Sequence, residues 1–219
     1  MVYALNKCKV DVACIGNHEF DPSDEQTDKL FKACEFPWLL GNILLKSTGK
    51  PIGDGQPFLV KEVNGKKIGF FGVGGEDWVG ILGPDFENEG GIDYLPVGPY
   101  SANMCKTLRE EHKVDIIVAL THLREVQDRQ LPLDAPDIDL ILGGHDHVIF
   151  DEAINNIPVV KSEQDFEYMS LIHVYAKGSI ANPKFKGPRF DFTVDLHKVP
   201  IASPDEVDKE LQAYVMKAD

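Results

Sequence analysis

The amino-acid sequence predicts an α/β protein in which a buried sheet presents its reactive groups from strand ends. Three stretches carry that prediction. The apolar run Val10, Val12, Ala13, Cys14 and Ile15 leads directly into Gly16, Asn17, His18, Glu19, Phe20 and Asp21. A second run, residues 115–120, delivers Thr121 and His122, and a third, residues 138–142, delivers Gly143, Gly144, His145, Asp146 and His147. Short, nearly continuous hydrophobic runs read as strands buried on both faces, and open α/β sheets bind ligands beyond the carboxyl ends of such strands. Imidazole nitrogens with amide or carboxylate oxygens are donors for borderline divalent ions such as zinc, manganese and iron, so the pattern points to a metal centre.

Along the chain, residues 2–9 read as the end of an amphipathic helix and residues 10–15 as the first strand. Residues 24–34, charged with Leu30 and Phe31 on one side, form a helix after the first site loop, and Trp38, Leu39 and Leu40 form a short strand. Residues 58–63 and 67–73 alternate across Asn64-Gly65, a hairpin dipeptide. Gly72-Val73-Gly74-Gly75 lacks a full G-x-G-x-x-G and precedes Glu76, Asp77 and Trp78, so it reads as a tight turn rather than a dinucleotide loop. Residues 87–91 make an acidic loop, and residues 101–112 a helix that docks the strand of His122. Val159-Val160, residues 170–176 and residues 190–196 are β-branched or aromatic and read as strands. Ser203, Pro204, Asp205 and Glu206 open a terminal helix running through Leu211 and Val215.

Composition narrows the functional classes. With 219 residues and 43% hydrophobic content the chain can bury one good core beside a small appendage. A formal net charge of −14 repels nucleic acid and acidic membrane surfaces, so neither is expected as a partner. A bound metal inverts that sign locally, which keeps a phosphate substrate compatible. Cys8, Cys14, Cys34 and Cys105 form no CxxC pair and read as reduced, mostly buried thiols outside the metal centre. The chain opens with no apolar core of signal-peptide length, and no run approaches ~18 apolar residues, so a cytoplasmic location is expected.

The ordered set GNHEFD at residues 16–21, Ala119-Leu120-Thr121-His122, and GGHDH at residues 143–147 resembles the calcineurin-like metallophosphoesterases, and within them the 5'-nucleotidase branch. The resemblance covers residues 2–199, including Gly41-Asn42-Ile43 and Lys161-Ser162. It implies an αββα sandwich, two packed mixed sheets flanked by helices, with residues 1–199 as the phosphoesterase domain and residues 200–219 as a linker helix. It further implies hydrolysis of phosphomonoesters such as nucleotides, by a hydroxide held between paired divalent ions (Zn, Mn or Fe). At the matching positions Asn17, His122 and His145 would ligate one ion and His147 the other. His18 would face the phosphate and assist the leaving oxygen, while Asp21 would hold its imidazole in one tautomer and keep it charged. Asp146 would support its loop, and Arg124 would either meet a substrate phosphate or pair with a surface acid. His112 and His173 are expected to be structural.

The family pattern also contains D-x-H and G-D-x-x-D ahead of GNHE, which supply the other ion's ligands and the bridging carboxylate. Fifteen residues precede Gly16, and neither motif is among them. Asp195-Leu196-His197 spells D-x-H and Gly53-Asp54 spells G-D, but the first falls in a late strand and the second in a turn without the following acid. The expectation is therefore a sandwich missing its amino-terminal strands, holding one ion or none, with weak or no activity as this chain alone. An exposed sheet edge would invite a protein partner, and the alternative function is a catalytically disabled structural or interaction subunit.

Overall fold

A computed structural model describes residues 2–21 and 24–200. The expected terminal helix from Ser203 lies outside the described residues. Helix α1 (Val2–Lys7) is closed by Lys9, whose φ of 53° is left-handed, and the amide of Val10 donates back to the carbonyl of Leu5. That closure occupies the start of the expected first strand, which shortens to β1 (Ala13–Cys14). A 3-10 turn (Asn17–Phe20) and α2 (Asp24–Ala33) follow, then β2 (Trp38–Leu39) and β3 (Ile43–Leu45). Strands β4 (Phe58–Val63) and β5 (Lys66–Gly74) form the expected hairpin, with Asn64 and Gly65 at φ of 51° and 73°. Both values suit the two positive-φ positions of a tight hairpin turn.

Helix α3 (Trp78–Leu82) runs into a 3-10 helix (Gly83–Glu89) in place of the expected acidic loop, and β6 (Ile92–Tyr94) pairs with β3. Helix α4 (Val97–Glu110) starts one turn earlier than expected, because Pro99 stands in a first turn where no intrahelical N–H is needed. Then come β7 (Ile116–His122), α5 (Glu125–Asp134), β8 (Leu140–Gly143), β9 (Ile149–Ile154) and β10 (Ile157–Ser162). Strands β11 (Tyr168–Ala176), β12 (Phe185–Lys186) and β13 (Phe190–Lys198) complete the described chain. Helices α3 and α5 and strands β3, β6, β9 and β12 are additions to the elements expected from sequence.

The central sheet has the order β4-β5-β7-β8-β10-β9. Its inner strands β5, β7, β8 and β10 are parallel and its edges β4 and β9 antiparallel. Strand β7 is buried along both faces, and its side chains alternate between two cores. Ile117 and Ala119 join Phe71, Met104, Leu108, Leu131 and Ile141 beneath α4 and α5. Ile116, Val118 and Leu120 join Leu39, Leu140 and Phe192 on the opposite face. On that opposite face lies the second layer of the expected sandwich, here the parallel pair β1-β2 and the antiparallel group β11-β13-β12.

Strand β2 crosses close above β5. A Cβ at Gly72 would run into the backbone of Leu39, and the Gly41 amide donates to the Gly72 carbonyl at 3.1 Å. This contact seats β1 and β2 on the central sheet and aims the chain after β1 at the strand ends. All four cysteines are free thiols: Cys105 is buried, Cys14 and Cys34 are half-buried, and Cys8 is exposed, fewer fully buried than expected. Among the described residues no helix is long and apolar enough to cross a membrane.

Candidate functional site

The register of the central sheet levels three strand ends. Gly74 of β5 pairs with His122 of β7, and Thr121 pairs with Gly143 of β8. Asn17 reaches the same edge from β1 through Ile15 and Gly16. A Cβ at Gly16 would lie 2.7 Å from Cε1 of His122, so only glycine lets the Asn17 loop approach the imidazole this closely. Asn17 is buried, and its Oδ1 lies 3.0 Å from Nε2 of His122. The His122 and His145 rings stand edge to face with centroids 4.9 Å apart, and the Trp78 ring covers His122 at 5.5 Å. His145 occupies left-handed backbone at φ 77°, a conformation that a non-glycine residue adopts at a cost of about 1 kcal/mol or more.

Burial pushes the His122 imidazole down from 6.5 to about 4, and the neighbouring Lys161 ammonium acts in the same direction. The ring is thus neutral at neutral pH and can offer a lone pair. His145 is held from behind by Asp77, whose Oδ2 lies 3.2 Å from its Nε2. A carboxylate there keeps the proton on Nε2 and leaves Nδ1 as the free donor nitrogen. Asp77 is absent from the site residues read from sequence. Its signal was the order of the strands: β5 lies beside β7, so the residues after Gly74 must face those after His122.

The remaining site residues divide. Nδ1 of His18 pairs with Oδ2 of Asp21 at 2.8 Å, and both side chains are exposed. Arg124 is held by Asp77 at 3.1 Å and Asp146 at 3.7 Å, yet its side chain is 56% exposed. Asp146 accepts a hydrogen bond from the amide of Glu125 and faces Lys161 at 3.4 Å. Burial alone would raise the Asp146 carboxyl, but that amide and the Lys161 ammonium hold it below the ordinary carboxylate value. His147 is exposed, and among the described residues no hydrogen bond, ion pair or ring contact joins it to Asn17, His122 or His145. His112 packs against Phe58, and His173 lies beside Tyr175 on β11, both away from this cluster.

Among the described residues no three His, Cys, Asp or Glu side chains are grouped so as to hold a metal ion. The donor set present is an amide oxygen with two imidazoles, one neutral and one oriented by a carboxylate. That chemistry fits a single borderline ion with open positions. His147, expected to serve a second ion, stands exposed outside this set.

The fold defines an α/β protein with a strand-end site of imidazole and amide donors. More narrowly, the chain belongs to the calcineurin-like phosphoesterase family, whose sequence profile matches residues 2–149. It is 31% identical over 153 residues to a 5'-nucleotidase of Vibrio cholerae, covering 64% of this chain and 27% of that one. To an apyrase of Tabanus yao it is 35% identical over 148 residues, covering 66% of this chain and 26% of the relative. The chain thus spans about a quarter of the length of these curated relatives. In fold it is similar to the calcineurin-like phosphoesterase YfkN of Bacillus subtilis, with a TM-score of 0.78 at 22% identity, covering 99% of this chain and 72% of that one. The 5'-nucleotidase precursor of Thermus thermophilus gives 0.79 at 18% identity, covering 99% and 45%.

Proposed function

We propose that this chain takes part in the hydrolysis of phosphomonoesters of the nucleotide class, with low turnover as the isolated polypeptide. The observation that carries this reading is the convergence of Asn17 on His122 beside His145, with the His18–Asp21 pair on the same loop as Asn17. Asn17, His122 and His145 would hold one divalent ion. When bound, such an ion supplies a Lewis acid that polarises a phosphoryl oxygen. Asp21 accepts the Nδ1 proton of His18, so Nε2 of His18 points outward as the group that meets the phosphate and protonates the departing alcohol oxygen. The half-exposed guanidinium of Arg124, fixed by Asp77 and Asp146, adds a positive donor at the rim. Low turnover follows from the donor set, which serves one ion and leaves a second with His147 alone.

The test is hydrolysis of p-nitrophenyl phosphate and adenosine monophosphate by the chain incubated with Zn²⁺ or Mn²⁺. Replacing a general acid that meets the substrate costs about 100-fold or more, so His18→Ala should lower saturable turnover by at least that much. Turnover equal in wild type and His18→Ala would overturn the assignment. Wild-type turnover near ~10 s⁻¹, ordinary for an enzyme, would overturn the claim that the isolated chain is slow.

A second reading is favoured by β11. This strand is at the end of its sheet and exposes Met169, Leu171 and Val174, as an interaction subunit would present to a protein partner. Metal-independent assembly with no phosphatase activity under any ion would favour it over hydrolysis.

A further inference from the structure

We propose that Lys161 is a positioning residue for the histidine site, and that its buried ammonium fixes the separation of the loops carrying His122 and His145. The proposal rests on reading those histidines as the site. Lys161 is on β10 with its side chain buried. Its Nζ donates to the carbonyl of Leu123 at 2.9 Å and to the carbonyl of Gly144 at 2.9 Å. One oxygen belongs to the residue after His122 and the other to the residue before His145. The third hydrogen bond of the ammonium goes to Oδ2 of Asp146 at 3.4 Å, and Oδ2 of Asp128 faces it as an ion pair at 2.8 Å, so all its donors are committed.

Asp128, also buried, carries the connection further. Its Oδ1 accepts from Oγ1 of Thr121 at 2.6 Å, on the residue before His122, and Asp146 faces Lys161 from the residue after His145. The network therefore touches both neighbours of each histidine. Gly143 leaves the room for it: a Cβ there would stand 2.9 Å from Cε of Lys161 and 3.0 Å from Oδ2 of Asp128. An apolar side chain of the same length would fill this volume without the desolvation cost of a charge. It could not tie together two carbonyls from separate loops, which is the task the geometry assigns.

The experiment compares wild type with Lys161→Met and Gly143→Ala; the second keeps every charge and crowds the lysine stem and the Asp128 carboxylate beside it. In chelator-treated protein, long-range proton–nitrogen correlations of the imidazoles report the two rings directly, with His112 as an internal control. The His122 and His145 signals should move or broaden in both variants while those of His112 stay in place. Competition with a zinc indicator should show affinity falling by about tenfold or more, as for other residues that orient metal ligands. Folded variants with unchanged His122 and His145 signals would overturn the proposal. If wild type binds no zinc, the metal reading fails, and the imidazole signals of the metal-free chain still decide the role of Lys161. Should both variants fail to fold, the double variant Asp128→Asn with Lys161→Met, which leaves no orphan charge, is read in the same way. Unfolding of all three would make Lys161 a determinant of the fold rather than of the loops, and would also overturn the proposal.

Discussion

Acidification should expose the burial of His122 as a loss of stability. In the folded chain this imidazole takes up a proton only near about 4, against 6.5 in the ordinary state. Between those values the unfolded chain binds more protons than the folded one, so stability falls as pH drops from about 6.5 to about 4 and is unaffected by this group above that window. The gap corresponds to about 3 kcal/mol, of which about 2.5 kcal/mol is lost by about pH 4.5. His122→Gln removes the titration and keeps a polar side chain of similar reach. Urea unfolding with a chelator present, at about pH 7 and about pH 4.5, should show wild type losing about 2.5 kcal/mol more than His122→Gln between the two conditions. Two parallel pH profiles, within about 0.5 kcal/mol, would refute the claim that the fold holds this ring neutral.

Other substitutions probe the framework around the site. Asn42 is fully buried, accepts from the Gly74 amide at 2.8 Å and donates to the carbonyls of Gly74 and Leu95. Asn42→Ala should cost about 3 kcal/mol, read from the urea midpoint, because it strands buried groups beside the turn that leads to Asp77. Buried Asp139 binds both Arg109 and Arg189 and accepts from the Ile117 amide at 2.8 Å. Asp139→Ala should lower stability by about 3 kcal/mol or more, measured by the same unfolding curve. Burial pushes the Cys14 and Cys105 thiols up to about 12, so a thiol reagent at mildly alkaline pH should label exposed Cys8 first and reach Cys105 only as the protein opens. Equal labelling rates for Cys8 and Cys105 in the native chain would contradict that order.

The parts legible in the sequence are those where local chemistry and tertiary burial agree. Ile116 to Leu120 are apolar because both faces of β7 are covered, and Asn64-Gly65 adopts the positive φ values that its composition favours. Helix α5 escapes a periodicity reading because Pro132 lies inside it and Val126 and Leu133 are exposed, so it shows no clean apolar stripe. Strand β9 hides behind Asp151 and Glu152, and its turn is the pair Asn155 and Asn156, at φ of 51° and 61°. Within the site, a strand followed by histidine could be read directly. Asp77 could not, since its meeting with His145 spans 68 residues and depends on which strands are neighbours. Lys161 belonged to a quoted motif, but only the packed structure shows a buried ammonium between two carbonyls.

The contact between Asn17 and His122 closes a separation of 105 residues. Hairpins such as β4–β5 and β9–β10 can form from neighbouring residues, whereas this contact must wait until the central sheet exists and β2 has settled across Gly72. The Asn17 arm hangs from the two-residue strand β1, paired with β2, so its hold on His122 depends on contacts remote in sequence. An ion bridging Asn17 and His122 would act as a latch on that arm. Its concentration would set how often the amino-terminal segment opens long before it changed the stability of the sheet beneath.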